Sequence, residues 1–130
     1  MDGCRGGFVL DRLRVVAVVG RRSRASASVS ILRGGRSFEA MEDGEGAVDA
    51  VSRAVATALG IDARIKNLRT GGTRGGRGEV WVSVECEGGA RTGYCASADF
   101  VEAVARAYLE ALDVLVAAKP AGDVGEARTK

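Results

Sequence analysis

Histidine is missing altogether from these 130 residues. That one absence removes histidine-ligated metal sites, Ser-His and Cys-His nucleophile pairs, and the commonest general base. Cysteine is scarce as well: Cys4, Cys86 and Cys95 make an odd count with no CxxC pair, so neither a disulfide framework nor a zinc site is indicated. A reducing compartment fits this usage. There is one proline, and aromatics amount to 5% of the chain, so a core must be built from Val, Ala, Leu and Ile. Long hydrophobic runs are absent too. The stretch from Leu13 to Val19 is interrupted by Arg14, and nothing approaches the roughly 20 apolar residues of a membrane span. Met1 to Gly7 is polar and does not resemble a signal peptide. Neither a membrane nor a cofactor is implied.

What remains is enough for one folded domain. Hydrophobic residues make up 46% of the chain, which argues against disorder. Net charge is only +2, but it is unevenly spread. Residues 1–37 hold eight Arg against two Asp, and residues 38–49 then carry five acidic residues and no basic one. Arginines on the outer face of an edge strand would block edge-to-edge pairing. A basic patch for a polyanion is the alternative.

The chain also repeats itself. VDAVSRAVATAL at 48–59 and VEAVARAYLEAL at 101–112 agree at seven of twelve positions with an offset of 53, and Asp49 is matched by Glu102. The same offset carries the alternating stretch Ala27–Ile31 onto Val80–Val84. A repeat shared by strand, spacing and helix predicts one unit used twice. Alternation predicts strands over 8–19, 25–32, 36–42, 61–68, 79–87 and 90–96. Gly34-Gly35 and Gly88-Gly89 read as tight turns, and Thr70–Gly78 as a glycine-rich loop. Helix one starts near Gly46 or Ala47, buries Val48, Val51, Val55 and Ala58/Leu59, and ends at Gly60. Helix two takes Ser97 as its N-cap and buries Val101, Val104, Tyr108, Ala111/Leu112 and Leu115, with Pro120 closing it. The expected fold class is α+β: two βββα repeats, about 8–60 and 61–119, with mostly antiparallel sheet, two packed helices and a disordered tail at 120–130. Cys86 is in phase with Val80, Val82 and Val84 and is expected to pack as a small hydrophobe.

No motif is convincingly catalytic. Asp43-Gly44-Glu45-Gly46-Ala47 leads into helix one, where glycines allow close approach and free N–H groups bind carboxylates or phosphates. A plain strand-to-helix turn is the alternative, and no Lys-Ser/Thr pair follows to make a P-loop. Gly93–Asp99 is the matching start of helix two, with Ser97 and Asp99 as capping residues first and ligand contacts second. The Arg69–Gly78 stretch superficially looks like an RGG segment, but it lacks interleaved aromatics, so a loop is preferred over nucleic-acid binding.

These residues resemble the C-terminal regulatory domain of 2-isopropylmalate synthase, which also occurs in citramalate synthase. The similarity runs from about Phe8 to Leu115. It rests on FVLDRLRVVAVVG, on the helix start Gly44-Glu45-Gly46-Ala47-Val48-Asp49-Ala50, on Ser97-Ala98-Asp99-Phe100-Val101-Glu102-Ala103, and on the closing Arg106–Leu112. The sequence departs from the family pattern at Ala47, usually proline, at Glu45, commonly Asn or Asp, and near Ala63, where an aromatic is common. The resemblance implies a dimerising pair of βββα units that binds leucine, or isoleucine in many citramalate synthases, between facing helix starts. Carried over by position, the ligand-binding residues are Gly44, Glu45, Gly46, Val48, Asp49 and Ala50, with Ser97, Ala98 and Asp99 in second rank. It further implies a chain without the catalytic barrel, not an enzyme on its own, with a homodimer partner and a full-length synthase as further partner. The location implied is cytoplasmic, or the stroma in a plant. A ligand-insensitive dimerisation module that docks on a full-length synthase is the alternative function.

Overall fold

The computed structural model describes residues 7–18, 24–86 and 89–118; the side chains of Thr73, Arg74, Cys86 and residues 115–118 are not among those described. The expected tail, Pro120, the Gly88 half of the second turn, Cys4, Leu115 and the packing of Cys86 therefore lie outside what can be compared. The element order is β1 (Val9–Val18), β2 (Arg24–Arg33), β3 (Arg36–Gly44), α1 (Ala47–Leu59), β4 (Ala63–Arg74), β5 (Arg77–Cys86), β6 (Gly89–Ser97) and α2 (Phe100–Ala118). It is an α+β fold in which a βββα unit occurs twice. Each unit has its own three-stranded antiparallel sheet, β1-β2-β3 and β4-β5-β6.

Alternation sets the inner faces. Ala25, Ala27, Val29 and Ile31 of β2 are buried, as are Val80, Val82 and Val84 of β5. Helix α1 packs on β2 and β3, and α2 on β5 and β6. The helices touch each other, and each also reaches a strand of the other unit, α2 meeting β1 and α1 meeting β4. One core cluster results, centred on Val51, Val55, Val104, Tyr108 and Leu112. The Tyr108 hydroxyl donates to the Ala63 carbonyl at 2.9 Å and ties α2 to the start of β4. The buried face of α1 also takes in Ala50 and Ala54, while Val48, Ala58 and Leu59 are half-buried. The helix meets a sheet and a second helix at once, so its covered stripe is wider than one sheet would require.

The turns follow their glycines. Gly34 and Gly35 take φ of +58° and +82°, the paired positive angles of a tight hairpin turn that only residues without a Cβ adopt freely. Gly60 closes α1 at φ +66°, its N–H reaching Thr57 O at 3.3 Å while Ile61 N–H reaches Ala56 O at 3.1 Å. The glycine-rich loop expected at 70–78 is instead the tip of a hairpin. β4 continues to Arg74 and β5 resumes at Arg77, around Gly75 and Gly76 at φ +60° and +82°. Backbone pairing carries this extension without hydrophobic alternation, and the Trp81 ring lies so close over Gly71 that a Cβ there would come within 2.8 Å.

Register refines the repeat. The offset of 53 holds from β2 to β5 and from α1 to α2. From β1 to β4 it is 55: Leu10 pairs with Ile31, and Ile65 with the equivalent Val84. Each strand has a bulge just after that pair, with Asp11 and Lys66 as the extra residues. Strand β1 is an edge of its sheet, and its Arg12 and Arg14 are exposed, as expected for charges that guard an edge.

Candidate functional site

The two helix starts are equivalent in place and different in chemistry. At α1 the N-cap is Gly46, extended at φ −169°, and no side chain caps the helix. The first-turn N–H groups are thus left without the side-chain acceptor that Ser, Asp or Asn would supply. Asp49, in that first turn, turns back: its Oδ2 accepts the Glu45 N–H and the Arg53 Nε, both at 3.0 Å. The Glu45 N–H holds the Asp49 carboxyl below the usual carboxylate range; burial opposes this and Arg53 reinforces it.

At α2 the equivalent of Gly46 is Asp99. Its Oδ1 accepts the Glu102 N–H at 2.9 Å, while its own N–H donates to Ser97 Oγ at 3.1 Å. The cap is therefore Asp99. Ser97, expected in that role, is the last residue of β6, because the chain needs two further residues to turn from strand to helix. The ion pair of α1 recurs in α2: Arg53–Asp49 at 3.0 Å and Arg106–Glu102 at 2.8 Å, each spanning one helical turn.

Two open grooves flank these starts. The first, about 710 Å³, runs between α1 and β4; Val48, Asp49, Ser52 and Arg53 form one wall, and Ala63, Arg64 and Ile65 the other. The second, about 560 Å³, lies between β1 and α2. It is lined by β1 residues from Leu10 to Ala17, by Ala47 of α1, and by Asp99, Val101, Glu102 and Arg106 at the start of α2.

The nine residues predicted from sequence are therefore not gathered at one point. Val48 and Asp49 face the first groove, and Asp99 faces the second. Gly44 and Ala50 are buried against each other; a Cβ on Gly44 would stand 2.5 Å from the Ala50 nitrogen. Glu45 and Ala98 are exposed, while Gly46 and Ser97 are half-buried; none of the four lines either groove. A Cβ on Gly46 would meet nothing within 4 Å. Arg53 and Arg64 also line the first groove and were not among the residues singled out from the sequence. The signal for Arg53 was present in its i, i+4 spacing from Asp49, repeated at Glu102 and Arg106. Arg64 carried no such signal.

Among the described residues no cluster of His, Cys, Asp or Glu could hold a metal ion, and no helix is long and apolar enough to cross a membrane. Cys95 is half-buried, and burial pushes its thiol up.

Residues 4–116 match the LeuA allosteric (dimerisation) domain. Among similar proteins, the 2-isopropylmalate synthase of Acidimicrobium ferrooxidans is 39% identical over 109 residues, covering 82% of this chain and 21% of that enzyme. The 2-isopropylmalate synthase of Pyrococcus furiosus is 36% identical over 112 residues, covering 84% and 22%. That of Heliobacterium modesticaldum is 35% identical over 94 residues, covering 70% and 18%. The chain thus spans about a fifth of the length of these relatives. With two βββα units and a match over nearly its whole described length, the chain belongs to the LeuA allosteric (dimerisation) domain family.

Proposed function

We propose that this domain binds leucine in the groove between α1 and β4, and acts as a homodimeric regulatory element of a 2-isopropylmalate synthase in leucine biosynthesis. The observation that carries the reading is the uncapped α1 start, with Gly46 leaving open space before it and the Asp49–Arg53 pair beside it. A helix N-terminus attracts a carboxylate, and Arg53 adds a cation on the same side. Asp49 Oδ1 is the acceptor for the ligand's ammonium, since Oδ2 already serves Glu45 and Arg53. Val48, Ala63 and Ile65 provide a small apolar wall for a branched side chain.

Isothermal titration with leucine, isoleucine and valine tests this. Leucine or a close branched analogue is expected to bind. Gly46→Val is expected to weaken binding by crowding the uncapped N–H groups beside the groove, without unfolding the protein, because the extended backbone and open space at that position accept a side chain. Asp49→Ala is expected to weaken binding by about 1.5–3 kcal/mol, the range for a hydrogen bond to a charged group. Absence of heat and of thermal shift at millimolar ligand would replace the sensing role with that of a structural dimerisation module.

A further inference from the structure

We propose that the outer face of the second sheet is a self-association surface, which pairs with the same face of a second copy. The contact is separate from both grooves and additional to the homodimer, so it joins dimers into a larger assembly. One row of side chains carries it. Arg69, Trp81 and Tyr94 lie opposite one another across β4, β5 and β6. They stand on the side of the sheet away from the buried Val80, Val82 and Val84. Trp81 is the single tryptophan of the chain, and it stands outside the core although aromatics are scarce. Tyr94 beside it is 39% exposed. Arg, Trp and Tyr are the residue types on which protein–protein contacts most often depend. The equivalent row of the first sheet, Arg14, Ser28 and Met41, has no aromatic residue, so the fold does not require one there.

The row is set before any partner arrives. The Arg69 guanidinium sits 4.5 Å over the Trp81 ring, and the Trp81 and Tyr94 rings lie 5.2 Å apart. The Tyr94 hydroxyl donates to Glu79 Oε2 at 2.7 Å. Side chains already held in place lose little freedom on association. Charge then identifies the occupant. A cation on β4 forms one end of the row, a ring with a carboxylate at its hydroxyl forms the other, and Trp81 lies on the central strand. A half-turn about an axis along β5 lays β4 of one copy over β6 of the other. Arg69 then meets the Tyr94 ring and the Glu79 carboxylate of the second copy, and the same contact recurs in reverse. Such a row is complementary to itself, as a two-fold contact demands, and it joins cation to ring and opposite charges. Glu85, the other outer acid of β5, is matched within its own chain by Lys66 at 3.8 Å, so no unbalanced like charge faces itself across the axis. The adjoining row, Asn67, Ser83 and Thr92, is short and polar, which lets the two faces approach.

Because Trp81 is the only tryptophan, its fluorescence reports on this row alone. Sedimentation equilibrium of the whole chain from low micromolar to millimolar concentration, with emission spectra at each step, tests the contact. Dimers are expected to pair into tetramers toward the upper end, with Trp81 emission moving to the blue in step. Trp81→Ala should abolish the pairing of dimers while far-ultraviolet circular dichroism stays unchanged. Arg69→Glu, an exposed substitution that keeps the fluorescent probe, should weaken the pairing about tenfold or more. Dimers as the largest species, with emission constant throughout, would overturn the self-contact and leave the face to a different partner, while the homodimer stands. Tetramers that survive both variants would overturn it too, by placing the second contact elsewhere. Monomers at every concentration would remove this contact and the homodimer together.

Discussion

Gly44 and Gly46 stand two residues apart and answer to different demands. Gly44 is buried where β3 passes the first turn of α1, and a Cβ there would lie 2.5 Å from the Ala50 nitrogen and 2.8 Å from its Cα. Backbone cannot rotate out of the way as a side chain can. Gly44→Ala is therefore expected to destabilise the domain by about 1–3 kcal/mol, the usual cost of overpacking. Gly46→Ala should stay within about 0.5 kcal/mol, as surface changes without such a contact do. Urea denaturation of the two variants would separate them, and equal losses would refute the distinction. The Gly-Glu-Gly spacing was legible in the sequence, but which glycine serves packing was not. That depends on how closely β3 approaches α1, and no local pattern encodes this distance. The burial of Ala50 was hidden for the same reason: it lies on the packed side of the turn.

At the scale of elements, the strands and helices were readable because their apolar periodicity matches what each buries. The β1 and β4 bulges were not, since an extra residue in a ladder shows only once its partner strand is known. The tie between β1 and α2 was equally hidden. Phe8 N–H donates to Asp113 Oδ1 at 2.9 Å, across more than 100 residues, and the Arg33 guanidinium sits 4.8 Å over the Phe8 ring. Burial pushes the Asp113 carboxyl up from its ordinary value, against the Phe8 N–H and Arg33, with Glu110 adding to the rise. A folded-state pKa above the unfolded one contributes stability that is fully present below the unfolded value and is lost as pH rises through the folded value. Ionised Asp113 therefore costs stability at neutral pH. Asp113→Asn keeps an acceptor oxygen for Phe8 and removes the charge. It is expected to be more stable than the parent at pH 7 and equal to it well below the ordinary aspartate range. Denaturation at both pH values decides this; a loss at pH 7 would mean that the charge itself holds the tie.

For the molecule as a whole, two three-stranded sheets and two helices leave more apolar surface than one chain covers. Val16 and Val18 of the edge strand β1 are 51% and 62% exposed, and Met41 of β3 is 68% exposed. In the ladder Val16 lies opposite Ser26, and Ser28 opposite Met41, so these residues share the face of the first sheet that points away from α1. Three large apolar groups on one exposed face, beside an edge strand, favour a symmetric partner. Membership of a dimerisation domain family points the same way. A dimer is expected in sedimentation equilibrium at high micromolar concentration. Replacing Val16 and Val18 with Lys together should weaken it about tenfold or more, since burying each valine is worth roughly 1.5 kcal/mol or above. Neither substitution touches the core, because both side chains already face water in the single chain. A dimer unmoved by the double variant would place the interface elsewhere, with the groove faces beside the helix starts the next to test. A monomer at every concentration would instead remove the partner on which a dimeric regulatory role depends.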